Sequence, residues 1–189
     1  MARAEQAAPE VGGFLAQVLQ ALGRLLQRIP RSGAVALAVA WGALIWYASS
    51  RPAPAIGPVG AWGEMLGNLA HAPEYGVLVV WIALALPRRD GWPDLAPRSV
   101  CWILVVAGLY AVLDEIHQSF TPDRDASVFD LLTDLVGASA TLACIVAAGG
   151  ARASPKDLRK RLVLGLLACV LAAALATFGS DAWPNAAWV

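Results

Sequence analysis

WILVVAGLYAVLDEIHQSFTPDRDASVFDLLTDLVGASATLACIVAA, residues 102–148, is two apolar runs joined by a charged one. The joining stretch, Asp114 to Asp134, holds six carboxylates, one arginine and one of the chain's two histidines. A membrane-crossing helix needs roughly 20 mostly apolar residues. Each run reaches that length only by taking in polar residues from the middle. The stretch therefore reads as two spans whose facing ends carry the charge. Carboxylates in hydrocarbon cost at least about 2.5 kcal/mol each, so these should point inward, toward other helices and one another.

The rest of the chain agrees with that reading. Of 189 residues, 58% are hydrophobic and 15% charged, and the mean hydropathy is +0.59. A soluble domain is nearer a quarter charged. The composition predicts an all-α protein, a polytopic transmembrane bundle of about five spans. The expected spans are 33–49, 71–86, 99–113, 128–148 and 162–178. The second is the least apolar: it reaches span length only with His71, Glu74 and Tyr75, and places Pro73 in its first turn, where a missing N–H is harmless. Zero formal net charge gives no reason to expect a nucleic-acid partner. Cys101, Cys144 and Cys169 sit in apolar runs without metal-ligand spacing, and read as small core residues. No signal peptide is expected.

Basic residues set the expected orientation. Arg24, Arg28 and Arg31 precede the first span. Arg88, Arg89 and Arg98 follow the second, and Arg152, Lys156, Arg159, Lys160 and Arg161 follow the fourth. The alternate loops hold Arg51 and Arg124. The N-terminus is thus expected in the cytoplasm and the C-terminus outside, in a bacterial cytoplasmic membrane, with the acidic stretch at the outer surface. Residues 1–10 read as a disordered tail. Residues 11–30 form an amphipathic helix with Phe14, Val18, Leu22, Leu25 and Ile29 on one face, suited to lying on the inner leaflet. Residues 149–161 make a basic loop, and 162–189 a fifth span with an outer tail whose Trp183 and Trp188 suit the interface.

Helical spacing organises the polar groups. Asp114 shares a face with His117 and Gln118, and Glu115 with Gln118 and Ser119. Asp130 and Asp134 are four apart, with Gly137 continuing their stripe toward a close helix contact. His71 lies three residues before Glu74 and four before Tyr75. Ser127-x-x-Asp130 also reads as a capping box. Asp123 and Asp125 read as turn residues beside Pro122. Arg124 offers a planar fork to a carboxylate or phosphate. The candidate catalytic groups are Asp114, Glu115, His117, Asp130 and Asp134. The candidate ligand-binding groups are His71, Glu74, Tyr75, Gln118 and Arg124.

Asp114, Glu115, Gln118, Phe120, Pro122, Arg124 and Asp130, followed by Asp134 and Gly137, closely resemble the core pattern of VanZ-like membrane proteins. His71 with Tyr75, and the run Tyr47 to Pro52, match further parts of it. The resemblance covers residues 34–148, so 33–148 reads as a four-helix VanZ-like core. Asp134 stands where asparagine is common, Asn68 where a lysine is usual, and Asp123 where glycine is frequent, which makes this chain's site more acidic. The resemblance implies a link to the cell envelope and, through the family's founding member, to resistance against the lipid-tailed glycopeptide teicoplanin.

Two readings follow. In the first, the acids, histidines and Arg124 bind or act on an amphiphilic or lipid-linked envelope molecule, through a divalent cation or paired acid and base groups. In the second the protein is non-catalytic, and Arg124 neutralises Asp134 or Glu115 to hold helices together. An ion-coupled transporter fits less well, because the charges sit at one end and not at the midplane.

Overall fold

The structure, a computed structural model, describes residues 17, 18, 21–23, 25, 26, 28–52, 60–89, 91–122, 124, 126–149 and 154–182. The expected tail 1–10, the loop residues Asp123, Asp125 and Arg152, and Trp183 and Trp188 lie outside the described residues. Five long helices make the body: α1 (Arg31–Ser49), α2 (Ala61–Ala85), α3 (Pro97–Gln118), α4 (Val128–Gly149) and α5 (Pro155–Ala182). A two-stranded hairpin, β1 (Arg88–Arg89) and β2 (Trp92–Pro93), joins α2 to α3. Gly91 turns it with a φ of 79°, a conformation open to glycine.

Among the described residues, α1, α3, α4 and α5 are long and apolar enough to cross a membrane. Their outer faces are apolar: Trp102, Leu109 and Leu113 on α3 and Leu164, Leu167, Leu171 and Phe178 on α5 are all more than half exposed, or nearly so. Buried charge and exposed hydrocarbon are the reverse of a water-soluble fold and suit a lipid solvent. The protein is an all-helical membrane bundle.

α2 is the exception by composition, because Glu64, Asn68, His71 and Glu74 dilute it. It is also the helix that the others surround. It packs most extensively on α4 and also against α1 and α5, so its neighbours can shield its polar groups. The expected span 71–86 is corrected here. The helix begins ten residues earlier, at Ala61, and Pro73 lies in its interior, not its first turn. Pro73 withholds the N–H that would bond the carbonyl four residues back, a defect usually tolerated in membrane helices when neighbours compensate.

The α2–α4 contact is close because small residues face each other. A methyl built on Gly137 would overlap the backbone of Ala72, and one on Gly76 would meet Thr141 Oγ1 at 2.7 Å. The core between the helices consists of Ile45, Tyr75, Leu78, Val79, Ala83, Ile103, Ala107, Ala111, Ala138 and Leu142. The end of the bundle that holds the basic residues is tied differently. Arg31 Nε donates to the Ala85 carbonyl at 3.1 Å, capping the C-terminus of α2, where a cation complements the helix dipole. The described residues between 17 and 26 are helical, and Gly23 approaches the Trp92 ring.

Candidate functional site

The last turn of α3 carries Asp114, Glu115, His117 and Gln118, and the helix splits them by direction. Asp114 and Gln118, four residues apart, face α1. Both are 2% exposed. Ser49 Oγ donates to Asp114 Oδ2 at 2.8 Å, and Gln118 Nε2 donates to the same oxygen at 3.2 Å. Thr121 Oγ1 donates to the Ser49 carbonyl at 3.1 Å. These bonds stitch the C-terminal ends of α1 and α3 together.

Glu115, fully buried, faces α4. Its Oε2 accepts the Ser127 backbone N–H at 2.8 Å. Ser127 in turn caps α4, its Oγ accepting the N–H groups of Phe129 at 3.2 Å and Asp130 at 3.4 Å. In a self-contained capping box the acid three residues on would accept the Ser127 N–H. Here Glu115 of the preceding helix takes that place, which corrects the expected box. Asp130 is half-buried and accepts no hydrogen bond among the described residues, but lies within electrostatic range of His71 and Arg124.

The third element is the close α2–α4 contact. His71 Nδ1 bonds Asp134 Oδ1 at 3.1 Å, with side chains 13% and 1% exposed. Because a carboxylate only accepts, this bond places a proton on Nδ1. One turn further along α2, Tyr75 is 1% exposed and within electrostatic range of Asp134, Asp114 and Glu115. His71, Glu115 and Asp134 each offer a ligand atom, and the three atoms lie within 4.8 Å of one another.

The hydrogen bonds leave a pattern. Asp114 Oδ1, Glu115 Oε1, Asp134 Oδ2 and the Tyr75 hydroxyl are buried with no hydrogen-bond partner among the described residues. Most buried side-chain polar atoms in folded proteins have one. Each carboxylate is thus held by one oxygen, while its other oxygen is unmet.

The remaining candidates are peripheral. His117 turns outward, stacking on Trp46 with ring centroids 3.9 Å apart and bonding Ser50 Oγ at 2.8 Å. It is not gathered with His71. Glu74 is half-buried, its carbonyl accepting the Trp41 Nε1–H at 2.9 Å, while its carboxylate is within electrostatic range of His71, Asp114 and Arg124. Arg124 donates from Nε to the Arg51 carbonyl at 3.2 Å and from Nη1 to Gln118 Oε1 at 3.4 Å. Among the described residues it forms no ion pair with Asp134 or Glu115; those groups bond His71 and the Ser127 N–H instead. The expected neutralising role of Arg124 is corrected accordingly. Ser49 and Ser127, not singled out as site residues, hold two of the three acids. The run Tyr47 to Pro52 and the capping pattern at Ser127 are their only signals in the sequence.

The family model described as VanZ/LLP1 matches residues 29–149, well over half of the chain, and the chain belongs to that family. The match takes in Ser49, His71, Tyr75, Asp114, Glu115 and Asp134. Neither a curated protein nor a solved structure matches the chain.

Proposed function

We propose that this VanZ/LLP1 family member uses the buried acidic cluster to bind or act on an amphiphilic or lipid-linked molecule of the bacterial envelope. The site belongs, in this reading, at the extracytoplasmic surface of the cytoplasmic membrane, with the N-terminus inside and the C-terminus outside. The basic residues of the 88–98 and 152–161 stretches support that orientation. One observation carries the proposal: three carboxylate oxygens and a phenol are unmet in a buried position. A network serving only to join helices gains from satisfying its members, and a partly satisfied one is worse than an apolar core. Unmet acceptors held in place by their sister oxygens suit a ligand that completes them. Arg124, with two of its five N–H donors engaged among the described residues, suits the anionic head of such a molecule.

A structural reading has its own support, because Ser49–Asp114–Gln118 joins α1 to α3 and Glu115–Ser127 joins α3 to α4. Asp114→Asn separates the two. It keeps the shape and one acceptor for Ser49. The binding reading expects loss of function in an envelope-integrity or glycopeptide-susceptibility assay, with membrane abundance near that of the wild type. Full function in the variant refutes it, and loss of abundance in step with function favours the structural reading.

A further inference from the structure

We propose that His71, Glu115 and Asp134 form a divalent transition-metal site, of the Zn2+ or Mn2+ kind, where α2, α3 and α4 meet. The inference rests on coordination geometry and stands apart from which envelope molecule the protein engages.

Three donors from three helices lie within 4.8 Å of one another. A tetrahedral ion with bonds of about 2.1 Å holds its ligands about 3.4 Å apart, so closure needs the widest pair to draw in by up to about 1.4 Å. The hydrogen bonds prepare each donor. His71 Nδ1 and Asp134 Oδ1 already face each other at 3.1 Å, so a cation taking the place of the shared proton is met by both residues. The Ser127 N–H fixes Glu115 through Oε2. Glu115 Oε1 is unmet and left to ligate, and the unmet Oδ2 of Asp134 offers that carboxylate a second oxygen for the same ion.

A second observation, outside the donor triad, points the same way. The Tyr75 hydroxyl is buried and unmet, on the same face of α2 as His71 and one turn on. Asp114 Oδ1 is also buried and unmet. Both groups lie within electrostatic range of the triad's carboxylates. The charge balance asks for a cation. Asp114, Glu115 and Asp134 are 2% exposed or less, and among the described residues the one ion pair they make is His71 with Asp134. Glu74 and Asp130, both half-buried nearby, add to the negative field. One imidazole nitrogen with carboxylate oxygens is the donor set of zinc, manganese and iron sites; all-oxygen sets suit Mg2+ and Ca2+, and thiolates, which select soft metals, are not in the triad.

The test uses the full chain in detergent, stripped with a chelator and reloaded. Mn2+ titrated into the wild type should lose its free-ion electron paramagnetic resonance signal up to about one equivalent per chain, and Zn2+ should restore the signal by displacement. Glu115→Gln and Asp134→Asn, checked by gel filtration for the wild-type elution volume, should each weaken binding roughly tenfold or more. Asp157→Asn, at the other end of the bundle, should leave it unchanged. The melting temperature of the wild type should rise with added metal, and that of the two site variants should not. No stoichiometric Mn2+ or Zn2+ binding by the wild type overturns the proposal. So does binding of Mg2+ or Ca2+ alone, or binding that survives both substitutions. Because the readout is metal and not phenotype, its failure and the failure of the envelope-ligand reading are told apart.

Discussion

Gly137→Ala tests the geometry on which the site depends. Alanine is the better helix former by about 1 kcal/mol, so α4 alone would gain. The tertiary contact opposes it. The built methyl lies 2.5 Å from Ala72 Cα and 2.7 Å from its carbonyl carbon, and overlaps the carbonyl oxygen as well. Ordinary carbon contacts begin near 3.4 Å, so α2 and α4 must separate by about 0.9 Å. Main-chain atoms have no rotamer by which to move aside. Overpacking costs roughly 1–3 kcal/mol and occasionally more, and this case belongs at the upper end. Set against the helix-propensity gain, a net loss of about 2 kcal/mol is expected. At roughly 2–4 °C per kcal/mol for a chain of this size, melting in detergent should fall by about 4–8 °C. The same separation lengthens the 3.1 Å His71–Asp134 bond beyond hydrogen-bonding distance. Gly108→Ala is the control: its methyl would meet only the end of Leu135, at 3.3 Å, which can yield. A Gly137→Ala protein that melts at or above the wild type would refute the close packing of α2 on α4.

Ser127→Ala removes the cap of α4, and should cost about 1 kcal/mol, read as a lower melting temperature than wild type. Ser49→Ala strips Asp114 of its hydroxyl donor while Gln118 remains, and a loss of about 1–3 kcal/mol is expected; an unchanged melt would show that bond to be idle. Arg161→Ala breaks only the exposed bond to Asp157 one turn away, so its melt should shift by about 0.5 kcal/mol or less.

The bundle was legible because its spans are continuous apolar runs, and because the charges at 114–134 had to be turned inward. α2 was read short for a physical reason. Trp62 to Ala70 mixes glycine, glutamate and asparagine with apolar residues, and Pro73 resembles a start signal. Only the surrounding helices allow so polar a helix to sit in the bundle. Within the site, spacing correctly put Asp114 and Gln118 on one face and His71 and Tyr75 on another. It could not separate His117 from Gln118, since three and four residues both return to nearly the same side; the Trp46 ring, contributed by α1, decides the matter. Ser49 bonds a residue 65 positions away, and the acceptor of the Ser127 N–H lies in the previous helix. Such pairings depend on how helices dock, which local periodicity does not encode.

The carboxylate of Glu115 is a rigid planar fork shared by two tasks. One prong anchors the opening turn of α4, and the other has no hydrogen-bond partner among the described residues. If the proposed ion grips the second prong, it tugs the first, and with it the N–H of Ser127 at the head of α4. Under that proposal, occupancy deep between the helices is relayed, by a single functional group, to the start of the next helix.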